Sequence, residues 1–171
     1  MPSLADVFRT LNEMKAEGII GDYAIGGGMA ALFYAEVMAT YDIDVFAFIP
    51  SQTGPIIHLT EIYDWCKQRG FETDREHIVI HTVPVQFLTA NEGIEKEAVD
   101  QARTVDYQAV PVRVMQPEHL AALSVLAGGS KRRERTGSLL EAGVVDRGTL
   151  RDILERHGLA AEWRKKWGRD A

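Results

Sequence analysis

The sequence predicts an α+β fold, in which a small mixed β-sheet is flanked by helices and followed by a C-terminal helical segment. In residues 1–116, short strand-like runs of apolar residues are interspersed with runs at helical spacing. The two patterns do not alternate regularly enough for a long parallel sheet. After residue 116 only helical spacing remains. In a chain of 171 residues, we expect an α/β core over 1–116 and a helical segment over 117–171, packed as one compact domain.

The core elements are predicted in chain order. Residues 4–17 place apolar side chains at helical spacing behind Ser3, a candidate N-cap, and predict the first helix. The following segments predict a short strand over 23–25, a glycine turn over 26–28, a buried helix over 29–38, a strand over 42–49 and a helix over 56–69. Residues 77–81 and 83–88 predict a strand or a pair of strands, with Pro84 demoting one edge. A helix over 92–103 and a last strand over 112–115 complete the core.

The helical segment begins at Pro117, a residue favoured in the first turn of a helix. Gly128 and Gly129 interrupt the helical pattern, which resumes over residues 131–142. Asp146 is a candidate N-cap for a third helix that extends to Arg156, and a basic tail containing two tryptophans follows. These signals predict three successive helices, each ended by a glycine or begun by a cap.

Composition and charge exclude several classes of protein. The chain has 19 Lys and Arg residues against 25 Asp and Glu, a net charge of −6, which argues against a general nucleic-acid coat. Its single cysteine, Cys66, excludes an internal disulfide and fits a reducing compartment. The N-terminal residues have no apolar signal region, and no apolar run approaches the ~20 residues of a membrane span. We therefore expect a cytoplasmic protein with no membrane partner.

The chemistry of the chain is concentrated in a glycine triplet and a pair of acids. Asp42 and Asp44 are two residues apart on a predicted strand, so both carboxylates point the same way. Two adjacent carboxylates suit a divalent cation such as Mg²⁺, which leaves coordination sites for substrate phosphates. The glycines 26–28 lie between a predicted strand and a predicted helix, where backbone N–H groups approach an anion. Together these features favour phosphoryl or nucleotidyl transfer.

The glycine triplet also fits a dinucleotide-binding fingerprint, with Gly26, Gly28 and Ala31 at the required spacing. That fingerprint places its acidic residue at the C-terminal end of the second strand. Here Asp42 and Asp44 begin the strand, and an apolar run follows them. The sequence therefore favours the metal and phosphate interpretation over a dinucleotide fold.

The pattern of Gly-Gly, a helix of about a dozen residues and then Asp-Ile-Asp before an apolar run resembles the nucleotidyltransferase superfamily with the DNA polymerase β fold. Within it the chain is similar to small bacterial nucleotidyltransferase-like proteins and abortive-infection toxins. The resemblance extends through Val83-Pro-Val-Gln-Phe-Leu88 and Val112-Arg-Val-Met-Gln-Pro-Glu-His-Leu120 to the helix around Lys131. It implies a nucleotidyltransferase-like α+β fold.

The resemblance also implies a role for individual residues. Gly26 and Gly27 match the glycines that position a nucleoside triphosphate, and Gly28 stands where the motif often has a small polar residue. Asp42 and Asp44 match the catalytic, metal-binding pair, which would hold two Mg²⁺ ions, with Mn²⁺ as an alternative. The resemblance adds two further nucleotide-binding candidates, Thr40 just before the acidic pair and Lys131, which lies where related toxins have a basic residue near the phosphates.

One position departs from the family pattern. Active members usually supply a third carboxylate from the next core strand, and here Gln86 occupies that place. A neutral amide coordinates a metal weakly and cannot act as a base. Glu92, Asp100 and Asp106 are alternative sources of a third carboxylate, and the sequence does not choose among them.

Three functions therefore stay open at this point. The first is a Mg²⁺-dependent transferase that moves a nucleoside monophosphate from a nucleoside triphosphate to a hydroxyl of a tRNA end, a protein or a small molecule. The second is a catalytically impaired binding module, with a toxin–antitoxin or defence role and a helical partner protein. The third is an RNA binder that uses the basic tail without nucleotide chemistry. The sequence does not give the oligomeric state.

Overall fold

The computed structural model describes residues 3–37, 39–50, 56 and 58–171. The described residues form one mixed sheet of seven strands and eight helices, in agreement with the predicted α+β class. The strands are β1 (Tyr23–Ile25), β2 (Ile43–Ala47), β3 (Glu72–Asp74), β4 (His77–Ile80), β5 (Val83–Thr89), β6 (Arg103–Tyr107) and β7 (Val110–Val114). The helices are α1 (Leu4–Ala16), α2 (Gly27–Ala31), α3 (Thr60–Gln68), α4 (Gly93–Asp100), α5 (Pro117–Ala127), α6 (Ser130–Glu141), α7 (Arg147–Arg156) and α8 (Ala160–Trp167).

The sheet has the order β3-β4-β5-β2-β1-β7-β6, so the strand with the acidic pair lies at its centre. Strand β2 pairs antiparallel with β1 and parallel with β5, and β1 pairs parallel with β7. The two edges are antiparallel ladders, β3-β4-β5 and β6-β7. This topology brings the glycine turn after β1, the acids of β2 and the middle of β5 next to one another.

Helix α1 begins where its sequence predicts. Ser3 and Asp6 form a reciprocal capping box, in which the Asp6 carboxylate accepts hydrogen bonds from the Ser3 backbone N–H at 2.7 Å and from its hydroxyl at 3.0 Å. Val7, Phe8 and Leu11 on its inner side are fully buried. The helix thereby covers apolar surface of the core, as its spacing predicts.

The helix predicted over 29–38 is much shorter in the structure, and the prediction was wrong in its length. Helix α2 ends at Ala31, and the amides of Phe33 and Tyr34 then bond to carbonyls only three residues back, as in turns. The ring of Phe33 packs edge-on against Tyr107 at 6.3 Å, and Arg103 lies over the ring of Tyr34 at 5.8 Å. Contacts with β6, distant in sequence, therefore override the local helical spacing. Met38 lies outside the described residues.

The prediction that Pro84 marks an edge was also wrong. Strand β5 lies between β4 and β2, and Pro84 pairs with Val79 of β4. Pairing with β2 begins only at Val85, so at Pro84 the strand has a neighbour on one side only. A proline is tolerated at this end of an interior strand because its missing N–H removes no bond of the second ladder.

The C-terminal helices follow their predicted signals. Pro117 begins α5, Gly128 and Gly129 separate α5 from α6, and the Asp146 carboxylate caps α7 by accepting from the Thr149 N–H at 2.7 Å. The tail forms α8, in which Trp163 is buried and stacks on Trp167 at 5.4 Å. The division between residues 116 and 117 stays a prediction.

A cluster around Glu97 ties α4 to these helices. The Glu97 carboxylate lies 3.0 Å from Nε2 of the buried His119 and 2.7 Å from Nε2 of His157, and it accepts two hydrogen bonds from Arg156 at 2.6 and 3.0 Å. Hydrogen bonds from Arg156, and then from the two histidines, hold the pKa of Glu97 well below its usual range. The cluster joins the core to α5 and α7 by charge-assisted bonds.

The described helices include none that combines the length and the apolar composition needed to cross a bilayer.

Candidate functional site

The acidic pair lies at the start of the central strand β2. Asp44 is the second residue of β2, and Asp42 directly precedes the strand. Ile43 and Val45 are fully buried, and alternation along the strand turns Asp42 and Asp44 to the opposite face. The two carboxylates share a face because the strand pattern places the apolar residues between them in the core.

Gln86 lies directly beside Asp44. The two residues are register partners in the parallel β2–β5 ladder, and both line the same cavity. The sequence-predicted position for a third ligand is therefore next to the acidic pair in the fold. Its side chain is an amide, so the chain brings one neutral oxygen ligand to this place instead of a third negative charge.

The glycine triplet packs tightly against the site, and each member is held by a different neighbour. A Cβ atom on Gly26 would lie 2.6 Å from the ring of Phe46, and one on Gly28 would lie 2.8 Å from the guanidinium carbon of Arg135. At Gly27 it would lie 2.0 Å from Oδ2 of Asp44, and Gly27 also has a φ of +56°. The sequence uses glycine here because the turn must pass against an acid, a base and an aromatic ring.

Helix α6 supplies the positive charge of the site. Arg132 and Arg135 line the cavity together with Asp44. Lys131, predicted to steady the phosphates, is exposed and is not among the described residues that line this cavity. The basic run over residues 131–135 thus reaches the site through Arg132 and Arg135, which are one helical turn apart on the same face.

The electrostatics of the site centre on Asp44. Burial raises the pKa of its carboxyl above the ordinary value, and the neighbouring Asp42 raises it further. Arg132, Arg135 and then His77 act in the opposite direction. The negative charge of Asp44 is disfavoured by burial and by the adjacent Asp42, which favours binding of a cation between the two carboxylates, and the arginines offset part of that effect.

Asp42 has its own polar neighbours. The Thr40 hydroxyl donates a hydrogen bond to Oδ1 of Asp42 at 2.5 Å, which orients the carboxylate. Nε2 of His77, on β4, lies 4.0 Å from Oδ2 of Asp42. Thr40, predicted to contact the nucleotide, thus contacts the acid, and it is not among the described residues that line the cavity.

The structure does not bring the alternative third carboxylates to this site. Glu92 is exposed at the start of α4, Asp100 pairs with Lys96, and Asp106 accepts a hydrogen bond from the Ala109 N–H. Across the described residues no cluster of three or more His, Cys, Asp and Glu side chains could hold a metal. Two carboxylates still fit Mg²⁺, which binds through one or two carboxylates and completes its shell with water and substrate phosphates.

A cavity of about 400 Å³ extends from Asp44 between the sheet and helices α5 and α6, and Asp42 is not among the described residues that line it. Its polar end holds Asp44, Gln86 and the two arginines, and most of its remaining wall is apolar. Leu126, 55% exposed, lies on its rim. The volume is within the range of roughly 300–1,000 Å³ typical of small-molecule sites.

Sequence reasoning missed four residues of this region, and one of them, Arg132, is the neighbour of the predicted Lys131. Arg135 and His77 approach the acids from elements far away in sequence, and only the basic composition of residues 131–135 hinted at the first of them. Glu95 lines the cavity from α4, and nothing in its local sequence distinguishes it from the other acids of that helix.

Comparison with known proteins gives a family match and likenesses to solved structures. A family model described as "Nucleotidyl transferase of unknown function (DUF2204)" matches residues 3–151. The chain is similar to the crystal structure of an antigenic nucleotidyltransferase-like protein from Paracoccidioides brasiliensis, with 16% identity, a TM-score of 0.54 and coverage of 81% of this chain and 74% of that one. A tRNA-processing enzyme in apo form I aligns at 11% identity and a TM-score of 0.40, covering 94% of this chain and 55% of that one. No curated protein matches significantly.

Proposed function

Since the chain belongs to the DUF2204 family of nucleotidyl transferases, we propose that it transfers a nucleoside monophosphate from a nucleoside triphosphate to a hydroxyl acceptor with the help of Mg²⁺. One observation carries the proposal: Gly27, the acid Asp44 and two arginines of α6, Arg132 and Arg135, line one cavity. A phosphate-bearing ligand needs neutralising cations, a close backbone approach and metal ligands in one place, and this cavity supports all three.

The residues of the chain divide the work. Asp42 and Asp44 hold the metal, and Thr40 keeps the Asp42 carboxylate oriented through its hydrogen bond. Arg132 and Arg135 neutralise the charge of the phosphates from the opposite wall. A Mg²⁺ ion held there would supply positive charge to the phosphates, and Mn²⁺ is the expected substitute.

The reaction exchanges one phosphorus–oxygen bond for another. The acceptor oxygen forms a bond to the α-phosphorus, the bond from that phosphorus to the β-phosphate oxygen breaks, and pyrophosphate leaves. Gln86 cannot take the proton of the acceptor hydroxyl because an amide is not a base at neutral pH. In this proposal the proton therefore passes to solvent or to a group of the acceptor.

Calorimetry with nucleoside triphosphates tests the binding part of this proposal. Wild type and the Asp64→Asn control, which changes an exposed acid on α3, are expected to bind at least one ribonucleoside triphosphate only when Mg²⁺ is present. Asp42→Asn and Asp44→Asn are expected to abolish this Mg²⁺-dependent binding of nucleotide. Absence of binding to all four ribonucleotides in wild type would overturn the proposal.

Pyrophosphate release tests the transfer itself. Wild type is incubated with Mg²⁺ and the nucleotide that binds, together with a tRNA pool, a protein mixture or small polyols as hydroxyl acceptors. If transfer occurs, one pyrophosphate is released for each acceptor molecule that gains a nucleoside monophosphate. The Asp44→Asn variant gives the background rate of pyrophosphate release.

A second candidate function rests on Gln86. Because the position beside Asp44 carries no charge, the chain is also suited to holding a nucleotide without turning it over. Such a binding module would show Mg²⁺-dependent calorimetry and no pyrophosphate with any acceptor. A toxin–antitoxin or defence role with a helical partner protein stays a prediction for either function.

A further inference from the structure

The apolar part of the cavity has two facing walls. Phe46 of β2 and Leu88 of β5 are register partners and form the wall on the sheet. Leu120 and Leu123 of α5 form part of the wall opposite. Two apolar walls facing each other suit a flat ring system, which presents apolar faces to both and polar atoms only along its edges.

Glu95 also lines the cavity, and the chain order indicates that it follows this apolar stretch. The Asp44–Gln86 pair is followed two residues later by the Phe46–Leu88 pair, a step of roughly 7 Å along the strands. Strand β5 ends at Thr89, and α4 begins at Gly93, so Glu95 enters from the first turn of the helix that follows. A ligand that extends from Asp44 past Phe46 therefore reaches Glu95.

The Glu95 carboxylate has no partner of its own within the described part of the chain. It forms no ion pair or hydrogen bond there, whereas Glu97, two residues later on α4, has three partners. Asp44 and Glu95 are the two acids among the described residues that line the cavity. Glu95 is partly buried, and a ligand that brings hydrogen-bond donors to its carboxylate stabilises it.

We propose that Glu95 recognises the base of the bound nucleotide and selects guanine. The inference rests on the proposed function, because it places the triphosphate at Asp44 and the base between the apolar walls. A carboxylate offers two acceptors side by side. Guanine presents two adjacent donors, N1–H and the 2-amino group, with no acceptor between them. In adenine and cytosine the amino group stands next to a ring acceptor, and in uracil the single N–H lies between two carbonyls, so each of these edges repels a carboxylate.

Calorimetry in Mg²⁺ with GTP, ITP and ATP tests the proposal. ITP keeps N1–H and lacks the 2-amino group, so it removes one of the two donors. Wild type is expected to bind GTP roughly tenfold or more tightly than ATP, because a hydrogen bond to a charged acceptor contributes about that much affinity. The affinity for ITP is expected to lie between the two. Glu95→Gln is expected to weaken GTP binding roughly tenfold and to leave ATP binding unchanged.

The matched control is Glu92→Gln, which makes the same change of charge on an exposed residue at the start of α4. It is expected to leave all affinities unchanged, and thermal unfolding checks that both variants fold as the wild type does. Equal binding of the four ribonucleotides by wild type, or an equal loss for all of them in Glu95→Gln, would overturn this inference while the proposed function stands. Failure of every nucleotide to bind would overturn the proposed function and the inference with it.

Discussion

Replacing Gly27 by alanine separates two reasons for a glycine at this position. Gly27 has a φ of +56°, and a Cβ there would lie 2.0 Å from Oδ2 and 3.0 Å from Cγ of Asp44. Gly18, at the end of α1, has a φ of +75° and nothing within 4 Å of the added atom. Gly18→Ala therefore carries the same backbone strain without the collision and is the matched control.

The expected magnitudes follow from these distances. The left-handed backbone costs an alanine about 1–2 kcal/mol, so both variants are expected to lose about that much free energy of unfolding. Only in Gly27→Ala must the Asp44 carboxylate also retreat, by about 1 Å, to reach a contact that real Cβ atoms tolerate. Displacing a metal ligand is expected to cost at least as much as losing its outer-shell support, which is roughly 10–100-fold in metal affinity.

Two measurements on each variant test this reasoning. Urea denaturation gives the free energy of unfolding, and calorimetry gives the Mg²⁺-dependent affinity for the nucleotide. Loss of nucleotide affinity confined to Gly27→Ala, with similar losses of stability in both variants, is the expected result. Wild-type affinity in Gly27→Ala would refute the claim that this glycine makes room for the Asp44 carboxylate.

Three further substitutions test the site and its support. Gln86→Glu places a third carboxylate beside Asp44 and is expected to raise the affinity for Mn²⁺ about tenfold, measured by calorimetry without nucleotide; an unchanged affinity would contradict the position of this side chain. Because burial raises the pKa of Asp44 above 3.8, the folded state holds this proton more tightly, and the metal-free protein loses stability as pH rises from 3.8 through that raised pKa. Asp44→Asn in EDTA should therefore gain stability over wild type with rising pH, and urea midpoints that stay parallel at all pH values would contradict this. Glu97→Gln is expected to cost about 2 kcal/mol at neutral pH. The hydrogen bonds that Glu97 accepts lower its pKa, so the stability they contribute is complete above pH 4.5 and is lost as the pH falls below that value. The urea midpoint of Glu97→Gln should therefore fall less steeply with acid than that of the wild type.

The sequence predicts the centre of the fold better than its edges. Strand β2 and the glycine turn are recognisable because Ile43 and Val45 alternate with the acids and a glycine run precedes them. The edge strands β3 and β6 escape prediction because their residues are mostly exposed and leave no apolar alternation. Helix α2 is shortened by contacts of Phe33 with Tyr107, more than seventy residues away, and no local pattern encodes that contact.

The candidate site divides in the same way. The acids and glycines lie within twenty residues of one another, so their spacing predicts that they meet. Arg135 and Glu95 come from helices α6 and α4, and only the tertiary packing brings them to the cavity. The choice of Lys131 over Arg132 illustrates the difficulty, because helical phase alone decides which cation of a basic run faces the site.

The charge balance of the site gives a physical reason for an amide at position 86. Burial and the negative charge of Asp42 already raise the pKa of Asp44. A third carboxylate next to it would raise its pKa further and would oppose the phosphates that Arg132 and Arg135 attract. Gln86 keeps an oxygen in the ligand position without adding that charge. Gln86→Glu should therefore strengthen the binding of the metal alone and weaken the binding of nucleotide at saturating metal. Tighter binding of both ligands would contradict this explanation for the amide.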